Sequence, residues 1–153
     1  MKTAIMQPTY LPWLGYFELM SNCDIFILLD DVQFIEGSWH QRNKIKTPSG
    51  ELFLTVPVLS KGKRQQKINE ALINNNINWK RKHLASIYFN YKKAAFFNNY
   101  IDELNDIYSK DYQTLLDLNL TLLEFFRKNI GINTPIRLAS ELKVEGEIGR
   151  AHV

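Results

Sequence analysis

Residues 3–31 read TAIMQPTYLPWLGYFELMSNCDIFILLDD, and this stretch decides the fold. Thr3–Met6 is predicted to be a short buried strand, and Asp24–Leu29 a second one because it is almost continuously apolar. Between them, the proline-containing loop Gln7–Pro12 leads into a helix that begins near Trp13. Strand, helix and strand in this order are typical of the first crossover of a parallel α/β sheet.

Polar and aromatic side chains follow both predicted strands, at the ends where parallel sheets bind ligands. A helix N-terminus after a strand binds anions through its free N–H groups, and Gly15 would let a phosphate approach the backbone. Two acids directly after a buried strand are placed to hold Mg²⁺, a ribose or an amine. The alternative is a plain turn with core aromatics and an Asp cap. The candidate residues at this edge are Gln7, Pro8, Tyr10, Trp13, Gly15, Tyr16, Asp30, Asp31 and Gln33.

A β-hairpin is predicted next, because SWHQRNKIKT and ELFLTVPVL are separated by the turn residues PSG. Its first half carries Arg and Lys beside Trp, a combination that suits a phosphate or a planar ring. His40 is a candidate general base, and no second His nearby indicates a metal site. A solvated hairpin face is the alternative. The candidates here are Trp39, His40, Arg42, Asn43 and Lys44.

The rest of the chain is predicted to be mostly helical. Ser60–Lys67 is a basic loop whose Lys61 could contact an anionic ligand, although such a run is also typical of a solvated turn. Ile68–Ile73 is predicted to be a short strand. From Asn78 onward, apolar residues recur at helical spacing in three stripes, and the third ends near Gly131. Pro135–Leu138 is predicted to be a last strand.

Bulk properties exclude several classes of protein. The chain has 153 residues, enough for one domain, and its single cysteine precludes an internal disulfide, as fits the cytoplasm. No apolar stretch is long enough to cross a bilayer. A net charge of +3 gives little support to nucleic-acid binding. The string 148–153 matches what a common sequencing-library adapter encodes, so we predict one domain over 1–147 that continues in the natural gene, and a non-native tail.

Three motifs resemble the WbqC-like family: MQPTYLPWLGYFELM, LLDDVQF and SWHQRNKIKTPSGELFLTVPV, within a similarity that runs from Met1 to about Val144. Members of that family look longer than this chain and occur in bacterial surface-polysaccharide (O-antigen) gene clusters. The resemblance therefore implies a biosynthetic context more than a particular reaction.

A second resemblance is to the HIGH-motif nucleotidyltransferases, which place His-x-Gly-His at a helix start after the first strand. The equivalent residues here are Trp13-Leu14-Gly15-Tyr16, so the glycine matches and both histidines are replaced. This resemblance implies a Rossmann-like α/β sheet, here with an inserted hairpin and a C-terminal helical portion. Nucleotide binding fits these residues, whereas charge stabilisation by histidine does not, and Tyr16 could offer only a hydrogen bond.

Three functions fit these features. The first is a nucleotide- or nucleotide-sugar-dependent transferase of surface-polysaccharide synthesis, in which Mg²⁺ could bind together with the nucleotide. In it Asp30 or Asp31 would bind metal or accept a proton, and Trp13 or Trp39 would stack on a base or sugar. The second is a non-catalytic module that binds a sugar nucleotide or a partner. The third, a nucleic-acid binder, has the least support.

Overall fold

The structure is a computed structural model, and it describes residues 1–63 and 65–142. Arg64 of the basic loop and the predicted tail at 148–153 lie outside the described residues. The described part is a mixed α/β fold with five strands, four α-helices and two short 3-10 helices. In chain order they are β1 (Thr3–Met6), α1 (Leu14–Ser21), β2 (Ile25–Leu28), β3 (Arg42–Thr47), β4 (Gly50–Thr55), a 3-10 helix (Ile68–Glu70), α2 (Trp79–Tyr91), α3 (Phe97–Ser109), α4 (Leu115–Asn129), β5 (Ile136–Leu138) and a 3-10 helix (Ala139–Glu141).

A three-stranded parallel sheet is formed by β1, β2 and β5, with β2 in the centre. Met6 pairs with Leu28, and Leu28 pairs with Leu138, so the three strands reach the same edge of the sheet together. The predicted β1–α1–β2 crossover and the predicted last strand are therefore confirmed. The sheet packs on α1 and on the Leu123 side of α4, where Phe26 and Leu28 are fully buried.

The predicted hairpin is confirmed as an antiparallel pair, β3 and β4, which lies between β2 and α2 in the chain and forms a separate sheet. Its strands alternate: Ile45 and Leu54 point into the larger of two apolar cores, while Lys44 and Phe53 lie on the outer face. The hairpin is shorter than predicted, because β4 ends at Thr55.

The prediction of a strand over Ile68–Ile73 is wrong for its first half, which is a 3-10 helix. Glu70 reaches back to accept the Lys67 N–H at 2.9 Å, and this local bond stabilises a turn. Ile68 and Ala71 point into the core three residues apart, a spacing that a turn provides and a strand does not. Only isolated bridges, at Leu72 and Ile73, follow.

The three helical stripes are confirmed as α2, α3 and α4. Thr114 caps α4, since its hydroxyl accepts the Asp117 N–H at 3.1 Å. Gly131 ends α4 with φ +75°, where the N–H of Ile132 bonds to the carbonyl of Arg127 at 2.8 Å. None of the helices in the described part of the chain combines the length and the apolar character needed to span a bilayer.

Candidate functional site

At the carboxyl edge of the parallel sheet, one polar residue follows each strand. Gln7 follows β1, Asp30 lies two residues beyond β2, and Ser140 lies two residues beyond β5. The N–H of Leu29 donates to the carbonyl of Met6 at 2.9 Å, which keeps the first two exits side by side. Open parallel sheets bind their ligands at this edge, so these residues form the candidate site.

Gln7 is held at this edge by two buried side chains. The hydroxyl of Tyr16 donates to the Gln7 backbone carbonyl at 3.1 Å, and His40 Nε2 lies 2.8 Å from Gln7 Oε1. The N–H of Ile35 donates to His40 Nδ1, which assigns the ring hydrogen to Nε2 and makes His40 the donor to Gln7. The amide oxygen of exposed Gln7 is thereby engaged by His40.

Tyr16 and His40 were predicted to be catalytic, and the structure places both in the interior. Tyr16 has no exposed surface and His40 is 3% exposed. Burial raises the pKa of Tyr16 and lowers the pKa of His40 to about 4, so both side chains are neutral at physiological pH. In this conformation they orient Gln7 and do not themselves face a ligand.

Asp30 is also buried, at 1% exposure, and its carboxylate is occupied by hydrogen-bond donors. Ser140 donates twice, from its N–H at 3.0 Å and its hydroxyl at 2.6 Å, and the Asn69 amide donates at 3.2 Å. The Asn69 N–H also bonds to the Asp30 carbonyl at 2.9 Å. These three donors to the carboxylate fasten the end of β5 to β2. A role for Asp30 toward a metal or a proton stays a prediction.

Asp31 is the more accessible of the two acids, since it is half-buried beside the same edge. A single carboxylate can hold Mg²⁺ only together with substrate phosphates, as nucleotide-dependent enzymes often do. Within residues 1–63 and 65–142, no group of three or more His, Cys, Asp or Glu side chains is placed to hold a metal ion. A role for Asp31 toward a metal or a ribose stays a prediction.

Two of the predicted ligand contacts, Tyr10 and Asn43, shape the loop between β1 and α1. Tyr10 is fully buried, and its hydroxyl bonds to His83 Nδ1 at 2.8 Å and to the Tyr108 hydroxyl. The Asn43 amide donates to the carbonyls of Tyr10 at 3.3 Å and of Leu11 at 2.6 Å. Leu11 has φ +47°, a left-handed conformation that costs a branched residue energy and that these bonds hold in place.

Trp13 and Gly15 form the accessible part of the same loop and of the first turn of α1. The Trp13 indole is 51% exposed and meets Tyr16 edge-on, with centroids 5.5 Å apart. A Cβ at Gly15 would lie 2.7 Å from Trp13 Nε1, so the indole can rest there only because residue 15 has no side chain. The exposed ring therefore lies beside the free N–H groups at the start of α1.

An aromatic and cationic cluster covers the outer face of the hairpin. Trp39 is 50% exposed and stacks on Phe53 with a centroid distance of 6.3 Å and an angle of 27°. Arg42 Cζ lies 4.6 Å from the Phe53 centroid and Lys44 Nζ lies 5.3 Å from it, while Lys44 also pairs with Glu51. Trp39 and the two basic side chains are thus brought together through Phe53, a residue that was not identified from the sequence.

The hairpin cluster adjoins the loop that carries Gln7. The Tyr10 N–H donates to the Trp39 carbonyl at 3.0 Å, and the next residue, His40, holds the Gln7 side chain. Of the other predicted ligand residues, Pro8 is buried, whereas Gln33 and Lys61 are exposed; Gln33 pairs with Lys67 of the basic loop in an isolated bridge. Lys61 is not brought into contact with Gln7 or Trp13 by any bond in the described residues.

Several residues with structural roles at this edge were missed from the sequence. Asn69 and Ser140 look like ordinary loop residues and gain meaning only from their bonds to Asp30. His83 is buried at 5% exposure, and burial lowers its pKa to about 4, an effect that a hydrogen bond to the Thr55 backbone partly offsets. Its spacing of four residues from buried Trp79 was the available signal that it faces the core.

The fold and the site together define a class: an α/β protein whose candidate ligand site lies at the carboxyl edge of a parallel sheet. The chain belongs to the WbqC-like protein family, whose sequence model matches residues 7–151. It is 42% identical over 145 residues to the uncharacterized protein Rv1507c of Mycobacterium tuberculosis, an alignment that covers 94% of this chain and 62% of the relative. The chain therefore spans less than two thirds of that protein. No solved structure matches it significantly.

Proposed function

We propose that this chain binds a nucleotide or nucleotide sugar at the carboxyl edge of its sheet and acts as a transferase in cytoplasmic steps of bacterial surface-polysaccharide synthesis. The observation that carries the proposal is the arrangement around Gln7. Buried Tyr16 donates to the Gln7 backbone carbonyl, and buried His40 holds the oxygen of the exposed Gln7 side-chain amide. A polar group that is held in place by buried side chains meets the requirement of a binding site for pre-positioned contacts.

Each accessible group at this edge has a role in the proposal. The NH₂ group of Gln7 and the first N–H groups of α1 would bind phosphate oxygens, because they are donors beside the positive end of a helix. The half-exposed Trp13 ring would stack on the base. Asp31 would take the proton of an acceptor hydroxyl or amine, or hold Mg²⁺ on the phosphates. The Trp39 cluster would contact the sugar.

The likeness to HIGH-motif nucleotidyltransferases is part of this proposal and concerns the fold. The order of a strand, a proline-containing loop and a helix that starts at Leu14 supports it. Trp13 and Tyr16 stand where the two histidines would be, and Tyr16 is buried against Gln7. Because neither residue carries a positive charge, nucleotidyl transfer through histidine cations is not proposed, and transfer of a glycosyl, acyl or aminoacyl group remains open.

A non-catalytic binding module is the second candidate, and one observation favours it. Tyr16, His40 and Asp30, the residues with the most suitable chemistry, are all buried and engaged with other protein groups. Of the two acids that follow β2, Asp31 is the more accessible. Turnover separates the two candidates. A glycosyltransferase passes the sugar to an acceptor and releases the nucleotide, whereas an acyl- or aminoacyltransferase yields an acylated sugar. Asp31→Asn should abolish either product while binding persists, and a binding module forms neither product.

Binding itself is tested by thermal unfolding with a panel of nucleoside triphosphates and nucleotide sugars, each with and without Mg²⁺. A ligand at about 100 times its dissociation constant adds about 2.7 kcal/mol, which raises the Tm by roughly 5 to 10 °C. Trp13→Ala and Gly15→Ala should abolish the shift, the second because its new Cβ displaces the indole. Leu14→Ala is the matched control, since Leu14 lies between them and is 85% exposed. A shift that survives in Trp13→Ala and Gly15→Ala would refute the site.

A further inference from the structure

A basic and aromatic segment of the chain takes no part in the proposed site. Residues 79–101 read WKRKHLASIYFNYKKAAFFNNYI and contain five Lys or Arg residues without a single Asp or Glu. The whole chain has 19 basic and 16 acidic residues, so five basic residues without an acid in one segment are a strong local bias. Lys80 is paired with Asp111 at 2.7 Å from outside the segment, and no such ion pair is formed by Lys92 or Lys93 within the described residues. Seven of the 23 residues in this segment are Trp, Tyr or Phe.

The structure places the exposed aromatics of this segment at the corner where α2 passes into α3. Phe89 is 71% exposed, Phe96 is 68% exposed and Tyr88 is 52% exposed. Lys92 and Lys93 lie on the surface between them. These five residues, Tyr88, Phe89, Lys92, Lys93 and Phe96, are named the aromatic corner.

The aromatic corner is built on an ordered backbone. The Ala94 N–H donates to the Tyr91 carbonyl at 2.8 Å, and the Phe97 N–H donates to the Ala94 carbonyl at 3.1 Å. The Tyr91 hydroxyl accepts the Lys46 N–H from the hairpin at 2.9 Å. Phe97 packs edge-on against Tyr88 with centroids 5.6 Å apart. The rings of Phe89 and Phe96 are therefore exposed on a hydrogen-bonded turn. Because the backbone is already ordered, binding would cost little conformational entropy of the backbone.

The lysines stand beside the rings as they would at a lipid–water boundary. Lys92 Nζ lies 5.8 Å from the centroids of both Tyr88 and Phe89. Phenylalanine rings favour the boundary between headgroups and acyl chains, whereas neighbouring lysines reach phosphates and tyrosine hydroxyls remain hydrated. Exposing Phe89 and Phe96 to water has no compensation within the described residues, so an apolar medium would stabilise them.

We propose that the aromatic corner docks this protein on an anionic lipid surface, with Phe89 and Phe96 inserted and with Lys92 and Lys93 at the phosphates. The charge of the segment is complementary to such a surface, and each lysine near it contributes substantially to binding. A single-stranded nucleic acid is less suited to the corner, because Phe89 and Phe96 protrude separately at a turn and provide no flat platform for successive bases. This proposal is independent of the proposed transferase activity.

The test is co-sedimentation of the purified chain with two kinds of vesicle. One kind is phosphatidylcholine alone, and in the other about a quarter of the lipid is phosphatidylglycerol. The variants are Phe89→Ser, Phe96→Ser and the double substitution Lys92→Gln with Lys93→Gln. Ile35→Ser is the matched control, since Ile35 is an apolar side chain with 58% exposure elsewhere on the surface. All five substituted positions are exposed, so thermal unfolding should show little change in stability.

We expect binding to the phosphatidylglycerol vesicles that weakens at high salt. Each Phe→Ser substitution should weaken it about tenfold, and each lost lysine roughly fivefold. The control variant should bind like the unaltered chain. Absence of sedimentation, equal binding to phosphatidylcholine alone, or equal loss in Ile35→Ser would overturn the proposal. So would capture of a labelled single-stranded oligonucleotide that depends on the same residues while vesicles are ignored.

Discussion

Acidification should destabilise this protein well above the pH at which its carboxylates titrate, and two buried histidines are the reason. Burial lowers the pKa of both His40 and His83 from 6.5 to about 4. In the unfolded chain both regain the ordinary value, so as the pH falls below about 6.5 the unfolded state takes up protons first. Stability is complete above that pH and is lost progressively as the pH falls toward about 4.

The size of the effect follows from the difference between the two pKa values. At about pH 5, each histidine should lower the free energy of unfolding by about 2 kcal/mol, and the pair by about 4 kcal/mol. The assay is urea unfolding at several pH values between about 7 and 5, a window in which unperturbed carboxylates stay ionised. His40→Gln or His83→Gln alone should halve the dependence on pH, and the double variant should remove most of it. A free energy of unfolding that is constant across this window would refute the reasoning, as would a double variant that keeps the full slope.

Three further predictions concern single positions, each measured by chemical unfolding. Asp30→Ala should lower the free energy of unfolding by about 3 kcal/mol, because it leaves donors such as the Ser140 N–H without their charged acceptor. Asp31→Ala should lower it by less than about 1 kcal/mol. Equal losses would contradict the assignment of Asp30 as the structural acid. Thr114→Ala should cost about 1 kcal/mol through loss of the α4 cap, and an unchanged midpoint would speak against that cap. Gly131→Ala should also cost about 1 kcal/mol, purely through its positive φ, since no atom lies within 4 Å of the added Cβ; a stabilised variant would be inconsistent with the helix end described above.

The part of the fold that could be predicted was the part encoded locally. Strands β1 and β2 are short apolar runs next to a helix, and the crossover rule makes them parallel neighbours. Gly131 is recognisable as a helix end because few other residues tolerate its φ of +75°. The strand predicted over Ile68–Ile73 was wrong because six such residues fit either a strand or a turn. In the structure, the hydrogen bond between the Lys67 N–H and Glu70 stabilises the turn.

The burial of the candidate side chains could not be predicted, because their partners are distant in sequence. Ser140 is 110 residues from Asp30, and Tyr108 is 98 residues from Tyr10. A carboxylate after a buried strand has the same local sequence whether it faces solvent or accepts bonds from a later segment. The sequence around Tyr10 likewise does not show whether its ring is exposed or buried. Its burial depends on packing against residues of α2 and α3, which are distant in the chain.

The buried residues nevertheless explain why the exposed ones are worth testing. Tyr10 ties the loop after β1 to α2 and α3, Asn43 ties it to the hairpin, and Tyr16 and His40 fix Gln7 from below. These hydrogen bonds allow Leu11 to keep its left-handed backbone conformation, which an isolated loop would avoid. Supports of this kind are characteristic of binding sites, because a ligand contact is productive only when the contacting atom is already in position. Tyr16, His40 and Asp30, which the sequence suggested as reactive groups, therefore act in the structure as supports of this edge of the sheet.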